Sequence, residues 1–192
     1  MITRIVLILV CILIFINSCN SLISRVAGTH KLRTFTFDQV LEEGIGDADF
    51  IQINQAWSDG DYWFEPHKNV QSPGFVQFPV LTKSQYDSVN NGQQVTISVI
   101  GWTQRYEENC IEKNNCVLEG QTNFIGLVRP FNKRYRKFEN FPKEKYAVSV
   151  EPLFVEYQRQ PLDWYWNLAI MIASIIGIIA LERWLNSRKK TK

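Results

Sequence analysis

The chain has 192 residues, 45% of them hydrophobic and 13% aromatic, and that much apolar surface excludes an intrinsically disordered chain. An apolar run near each end leaves about 140 residues between them, the size of one ordinary domain. The formal net charge of +2 belongs to a tail: Arg183, Arg188, Lys189, Lys190 and Lys192 follow the last acidic residue, whereas residues 20–161 hold 15 basic and 17 acidic residues, so the domain lacks the basic surplus of a nucleic-acid binder and no nucleic-acid partner is expected.

Residues 1–19 form the first segment. The apolar run Ile5 to Ile16 follows Arg4, which is the layout of a secretory signal. "Ile16-Asn17-Ser18-Cys19" resembles a bacterial lipobox and makes Cys19 a candidate for lipidation after cleavage, although Asn17 stands where a small or apolar residue is usual. Read as Met1 to Ile16, the same run serves equally as a short, tilted anchor. Retained anchor, lipidated Cys19 and ordinary cleavage all put the following domain on the same side of a membrane. Cys11, inside the run, reads as a small apolar residue.

Residues 28–160 read as a β-rich extracytoplasmic domain. Thr36 and Gln39 have capping-box spacing, Phe37, Val40 and Leu41 give a short apolar face, and Gly44 is placed to end the helix. The period then changes to two. Strands are expected in "DFIQINQAW", in "YWF" after the turn "SDGD", and over 75–81, 94–102, 116–128 and 146–157, with a turn at Asn90-Asn91-Gly92. Pro79 and Pro152 give no ladder donor and are expected at edges or bulges. The pattern predicts a mainly β fold, a small antiparallel barrel or sandwich with one short N-terminal helix.

Cys110 and Cys116 bracket a short polar loop, which an extracytoplasmic domain would close with a disulfide. Such a closure stabilises by about 2 kcal/mol. With His30 and His67 the only histidines and no second cysteine pair in the domain, neither a zinc site nor any cofactor is expected. No P-loop, G-x-G-x-x-G, G-x-S-x-G or H-E-x-x-H occurs. The carboxylate pairs Asp59 with Asp61 and Glu107 with Glu108 read as turn and surface charges.

The one concentrated feature is "RPFNKRYRKFENF" over 129–141. There Arg129, Lys133, Arg134, Arg136 and Lys137 interleave with Phe131, Tyr135, Phe138 and Phe141. Such a mixture binds anionic lipid headgroups while its rings enter the interface, or meets an acidic partner. The plainer reading is a solvated loop with its rings folded back on the core.

Residues 164–185 are expected to form a C-terminal transmembrane helix and residues 186–192 a basic cytoplasmic tail. Trp164 to Leu181 is an uncharged stretch of eighteen residues, roughly 27 Å of helix. Trp164, Tyr165, Trp166 and Trp184 are placed like interfacial belts, and the basic tail favours a cytoplasmic C-terminus. Ala169, Ala173 and Gly177 recur every four residues, a small-residue face for a second helix or a second copy of the chain.

Two terminal membrane segments around a β-rich domain, Gly101-Trp102 ending a strand, and "GLVRPF" after it loosely resemble the Surf1-type cytochrome oxidase assembly proteins. That family's haem-related histidine near the second helix has no counterpart between Glu151 and Trp166, so the resemblance implies an assembly role without haem. The sequence as a whole predicts an inner-membrane protein whose periplasmic domain binds a membrane-protein partner or a lipid surface. The alternative is an enzyme whose site forms only in three dimensions.

Overall fold

The computed structural model describes residues 2–66, 74–107, 109–113, 115–129 and 142–190. In chain order these form α1 (Ile2–Ala27), β1 (Arg33–Thr36), α2 (Phe37–Glu42), β2 (Phe50–Ser58), β3 (Trp63–Glu65), β4 (Phe75–Val80), α3 (Lys83–Asn90), β5 (Val95–Thr103), α4 (Cys110–Lys113), β6 (Gly120–Val128), β7 (Tyr146–Tyr157) and α5 (Trp164–Lys190). They divide into two compact units, Leu32–Gln160 and the pair of terminal segments Met1–Lys31 with Pro161–Lys192.

The first unit is mainly β, as its alternating patterns predict, but the expected antiparallel barrel or sandwich is replaced by one mixed sheet in the order β1-β2-β6-β7-β5-β4-β3. Two of its pairings are parallel, β1 with β2 and β5 with β7. Parallel neighbours need a crossover of a dozen or so residues. The β1–β2 crossover carries α2, and the β5–β7 crossover carries α4 and β6. The sheet is not closed into a barrel. β2 and the end of β4, each second from an edge, meet at an isolated antiparallel bridge, where Trp57 N donates to Leu81 O at 2.8 Å and Leu81 N to Trp57 O at 2.9 Å.

Two cores flank the strands. Val76, Phe78 and Val80 of β4 enter one, with Ile51, Ile53, Val99, Phe124 and Phe37 of α2. Phe75 and the following Leu81 enter the other, with Ile97, Ile100, Phe154 and Val89 of α3. Every residue of β4 is therefore buried, which fits a strand that is apolar except at Gln77. Pro79 lies where β4 has run past β3, whose pairing stops at Gln77. Pro152 lies in the stretch of β7 that the ladder to β5 skips, since Ile97 pairs with Val148 and Val99 already with Leu153. Both prolines thus occupy the edge and bulge positions expected of them.

The capping box on α2 is complete, Gln39 N donating to Thr36 Oγ1 at 3.3 Å and Thr36 N to Gln39 Oε1 at 2.9 Å. A second box, Thr82 with Gln85, opens α3. The disulfide Cys110–Cys116 closes its loop with Cα atoms 4.7 Å apart. Because Cys116 is drawn into this loop, the strand expected from 116 begins only at Gly120.

In the second unit, α1 and α5 pair lengthwise. Their contacts run in opposite directions: a Cβ on Gly177 would lie 3.5 Å from Cys11 Sγ, Cys19 Sγ meets Met171 Sδ at 3.4 Å, and Arg25 Nη1 donates to Leu162 O at 2.8 Å. The covered positions of α1 include the series Ile8, Cys11, Phe15, Ser18, Leu22 and Arg25, together with Cys19, Ser21 and Ser24, and those of α5 include the series Asn167, Met171, Ser174, Ile178 and Leu181, together with Leu168 and Gly177. Alternating steps of three and four define a 3.5-residue seam. Ala169 and Ala173 are exposed and Gly177 is half-buried against Cys11. A stride of four drifts around a helix relative to a 3.5-residue seam, so this small-residue line meets α1 only at Gly177. Stretches of both helices, Ile5–Ala27 and Trp164–Arg183, are long and apolar enough to cross a membrane.

Gly101 is required by its neighbours. It pairs with Phe78 across the β4–β5 ladder, and a Cβ there would stand 2.6 Å from the Phe78 ring and 3.1 Å from that of Phe124. Phe124 in turn stacks on Tyr157 with centroids 5.1 Å apart, so the Phe78 ring has little room to retreat. Gly101→Ala is expected to destabilise the domain by about 1–3 kcal/mol through overpacking. Adding Phe78→Leu should recover part of that loss, as read from urea midpoints of the single and double variants.

Candidate functional site

A groove of about 510 Å³ opens beside the Trp57–Leu81 bridge, lined by Thr36, Phe37, Asp38, Asn54, Gln55, Trp57, Thr82, Lys83, Ser84 and Gln121. Local chemistry explains why these residues meet. Ile53 pairs with Phe124 and Ala56 with Thr122, so Asn54 and Gln55 together oppose one residue of β6. This bulge turns Gln55 into the left-handed region at φ 55°. Such a conformation costs a non-glycine residue on the order of 1 kcal/mol. Gln55 is nevertheless exposed and buries no apolar surface in compensation.

The two capping boxes supply opposite walls of the groove, Thr36 to Asp38 on one side and Thr82 to Ser84 on the other. Lys83 is already engaged: its Nζ pairs with Asp87 Oδ1 at 2.6 Å and lies 4.4 Å from the centre of the Trp57 ring. Trp57 also leans on Tyr86, whose hydroxyl donates to Glu119 Oε1 at 2.7 Å. Amides from Asn54, Gln55 and Gln121, hydroxyls and one carboxylate, Asp38, therefore dominate the groove. Such a lining offers both donors and acceptors without a net charge, and it suits a polar main chain or polar side chains better than a single ion.

A second cluster holds the turn after β2. Tyr146, only 3% exposed, donates its hydroxyl to Asp59 and lies 2.9 Å from Asp61 Oδ2, while Lys145 Nζ meets the same Asp61 oxygen at 2.7 Å. Burial first, and then the two carboxylates, push the Tyr146 phenol far above the ordinary tyrosine range. The hydrogen bond to Asp61 raises the Lys145 ammonium as well. Asp59 and Asp61 are thus more than turn charges, since both meet the hydroxyl of a tyrosine more than eighty residues away. Sequence spacing carried no sign of that partner.

The residues singled out from the sequence are distributed as follows. Cys110 and Cys116 are bonded, and Cys19 is half-buried within α1. Arg129 Nε pairs with Glu156 Oε2 at 3.4 Å. Lys133, Arg134, Tyr135, Arg136 and Lys137, with Phe131, Phe138 and Phe141, lie outside the described residues, as does His67. Among the described residues no group of three or more histidine, cysteine or acidic side chains is placed to hold a metal ion. The groove itself went unread in the sequence. One of its walls was legible as the Thr36–Gln39 capping box, and "TKSQ" at 82–85, which carries the same spacing and marks the start of α3, was the signal left unread.

No known family, curated protein or solved structure matches the chain, so the site has to be interpreted from its own chemistry.

Unfolding would return the Tyr146 phenol to an ordinary value of about 10. The stability held by this protonated hydroxyl is therefore present in full below pH 10 and is lost as pH rises from there toward the folded-state value. Tyr146→Phe is expected to cost about 1–3 kcal/mol near neutral pH, because Asp59 loses its donor. The variant should also lack this residue's share of the decline above pH 10. Urea midpoints of both proteins from pH 7 to 11 measure the two effects.

Proposed function

We propose that the chain is a membrane-anchored, non-enzymatic binding or assembly protein, and that the groove beside the Trp57–Leu81 bridge is where its β domain meets a membrane-protein partner. The observation that carries this reading is Gln55. An exposed glutamine held in the left-handed region at the mouth of a polar groove has no packing role, whereas a binding role would favour keeping it there. Among the described residues Asp38 is the only carboxylate lining the groove, and no histidine or cysteine joins it. That set supplies hydrogen bonds more readily than acid–base catalysis.

Support for the anchor comes from length and composition. Ile5–Ala27 and Trp164–Arg183 have mean hydropathies of 2.5 and 1.9 over their most apolar windows, and only 6% and 11% of those windows are buried. An antiparallel pair brings Arg4 to the same end as the basic tail. The positive-inside tendency would then hold both termini in the cytoplasm and the β domain outside it, in the inner membrane of a bacterial-type cell. A periplasmic position also suits the disulfide. The basic and aromatic segment over 129–141 would contact anionic headgroups in this reading. A Surf1-like assembly role remains a narrower version of the same proposal, supported by layout alone.

Two variants separate the partner contact from the lipid contact. Replacing Asn54, Gln55 and Gln121 by alanine should lower capture of the partner from native membranes at least tenfold and leave binding to anionic vesicles intact. Replacing Arg129, Lys133, Arg134, Arg136 and Lys137 by glutamine should do the reverse. Unchanged capture and unchanged vesicle binding in both variants would sink the proposal. Gln55→Gly alone should raise stability by about 1 kcal/mol, since glycine adopts this conformation freely, while weakening capture.

A further inference from the structure

We infer that α1 is a permanent half of the α1–α5 hairpin, so that the stretch Ile16-Asn17-Ser18-Cys19 is not processed and the Cys19 thiol stays unacylated. The inference deepens the membrane-anchored reading and depends on it for the setting, but it rests on a different set of contacts from the groove.

A series of covered residues on α1 continues the seam through the lipobox-like stretch and beyond it, from Ile8 to Arg25, and Cys19, Ser21 and Ser24 widen the covered face at its C-terminal end. A signal segment needs an apolar run and a cleavage site, and neither requires a heptad stripe matched to a helix at the far end of the chain. The matched residues are also the polar ones. Ser18, Asn167 and Ser174 are each 5% exposed, the most covered positions among the described side chains of the two helices. Ser18 and Ser174 donate back to Ile14 O at 2.9 Å and Met171 O at 2.7 Å, and the Asn167 amide reaches Leu162 O at 3.5 Å. The two serine bonds close within their own helices and the Asn167 bond within its own segment, to the residue two before α5, so the two surfaces approach without stranding these donors.

Cutting before Cys19 would remove Ile8, Cys11, Phe15 and Ser18 from the seam and leave the face of α5 around Ser174 without the helix packing that covers it. It would also place the acylated sulfur at the Met171 contact, where the Cys19 thiol now sits 3.4 Å away. At the other end of the seam, Arg25 joins the helices through Leu162 O and an ion pair with Asp163 Oδ1 at 3.5 Å. The hairpin is therefore tied at a level that cleavage would spare, while its middle depends on the part that cleavage would remove.

The test uses the full chain purified from native membranes. Intact mass is measured under denaturing conditions, with and without a thiol-alkylating reagent. The expected result is the whole chain, with Cys11 and Cys19 each taking up one alkyl group and no acyl mass. A chain beginning at Cys19 and carrying acyl groups would overturn the inference, and so would any unacylated chain cut within or just after the apolar run. Gly177→Cys tests the seam itself. Mild oxidation in membranes should join position 177 to Cys11 within one chain, and the further change Cys11→Ser should abolish the link. Absence of that link in a full-length chain would equally overturn the pairing. Loss of partner capture by the groove variants bears on the proposed function and leaves these masses unchanged, so the two readings fail separately.

Discussion

The parallel pairing of β5 with β7 is the contact on which the β domain depends. On one side of it lie β6, β2 and β1, and on the other β4 and β3. Without it the sheet would be two pieces touching at one bridge. It is a demanding contact, because parallel partners are brought together only after a long connection has been closed and its entropy offset. Burial provides the offset. Val99, Ile100 and Val155 are fully covered where these strands meet, and the pairing tolerates a mismatch of three residues around Ser149 to Pro152 without interrupting the core.

That dependence also separates what the sequence reveals from what it hides. Strands with clear alternation or a predominantly apolar run, such as β2, β4 and β7, were legible to within a residue or two. So was α2, because its capping chemistry is local. The sheet order was not legible, since nothing in "QVTISVIGW" states whether its neighbour runs parallel or antiparallel. The expectation of an antiparallel barrel followed from the number of strands and failed at pairings set by the crossovers. α3 was overlooked because a single buried residue, Val89, gives it too little apolar periodicity.

The candidate site was hidden for a related reason. Its residues come from the end of β1, the start of α2, a bulge in β2, the start of α3 and the start of β6, and each looks ordinary in its own stretch. Only the bulge gives Gln55 its unusual backbone, and a bulge depends on the register with β6, which no local pattern encodes. Asp59, Asp61 and Tyr146 illustrate the same point for charge: two turn residues acquire a buried donor from a strand far along the chain. Cys110 and Cys116, close in sequence, were readable because their partnership needs only a short loop.

The order of synthesis adds a consequence of the long-range seam between α1 and α5. α1 leaves the ribosome first, and its partner follows only after the whole β domain has been made. At about 5–20 residues per second, the first helix waits roughly ten to thirty seconds with Ser18 and the rest of its stripe uncovered. During that interval the stripe is open to other apolar helices, and the sheet has time to begin folding before α5 arrives to exclude them.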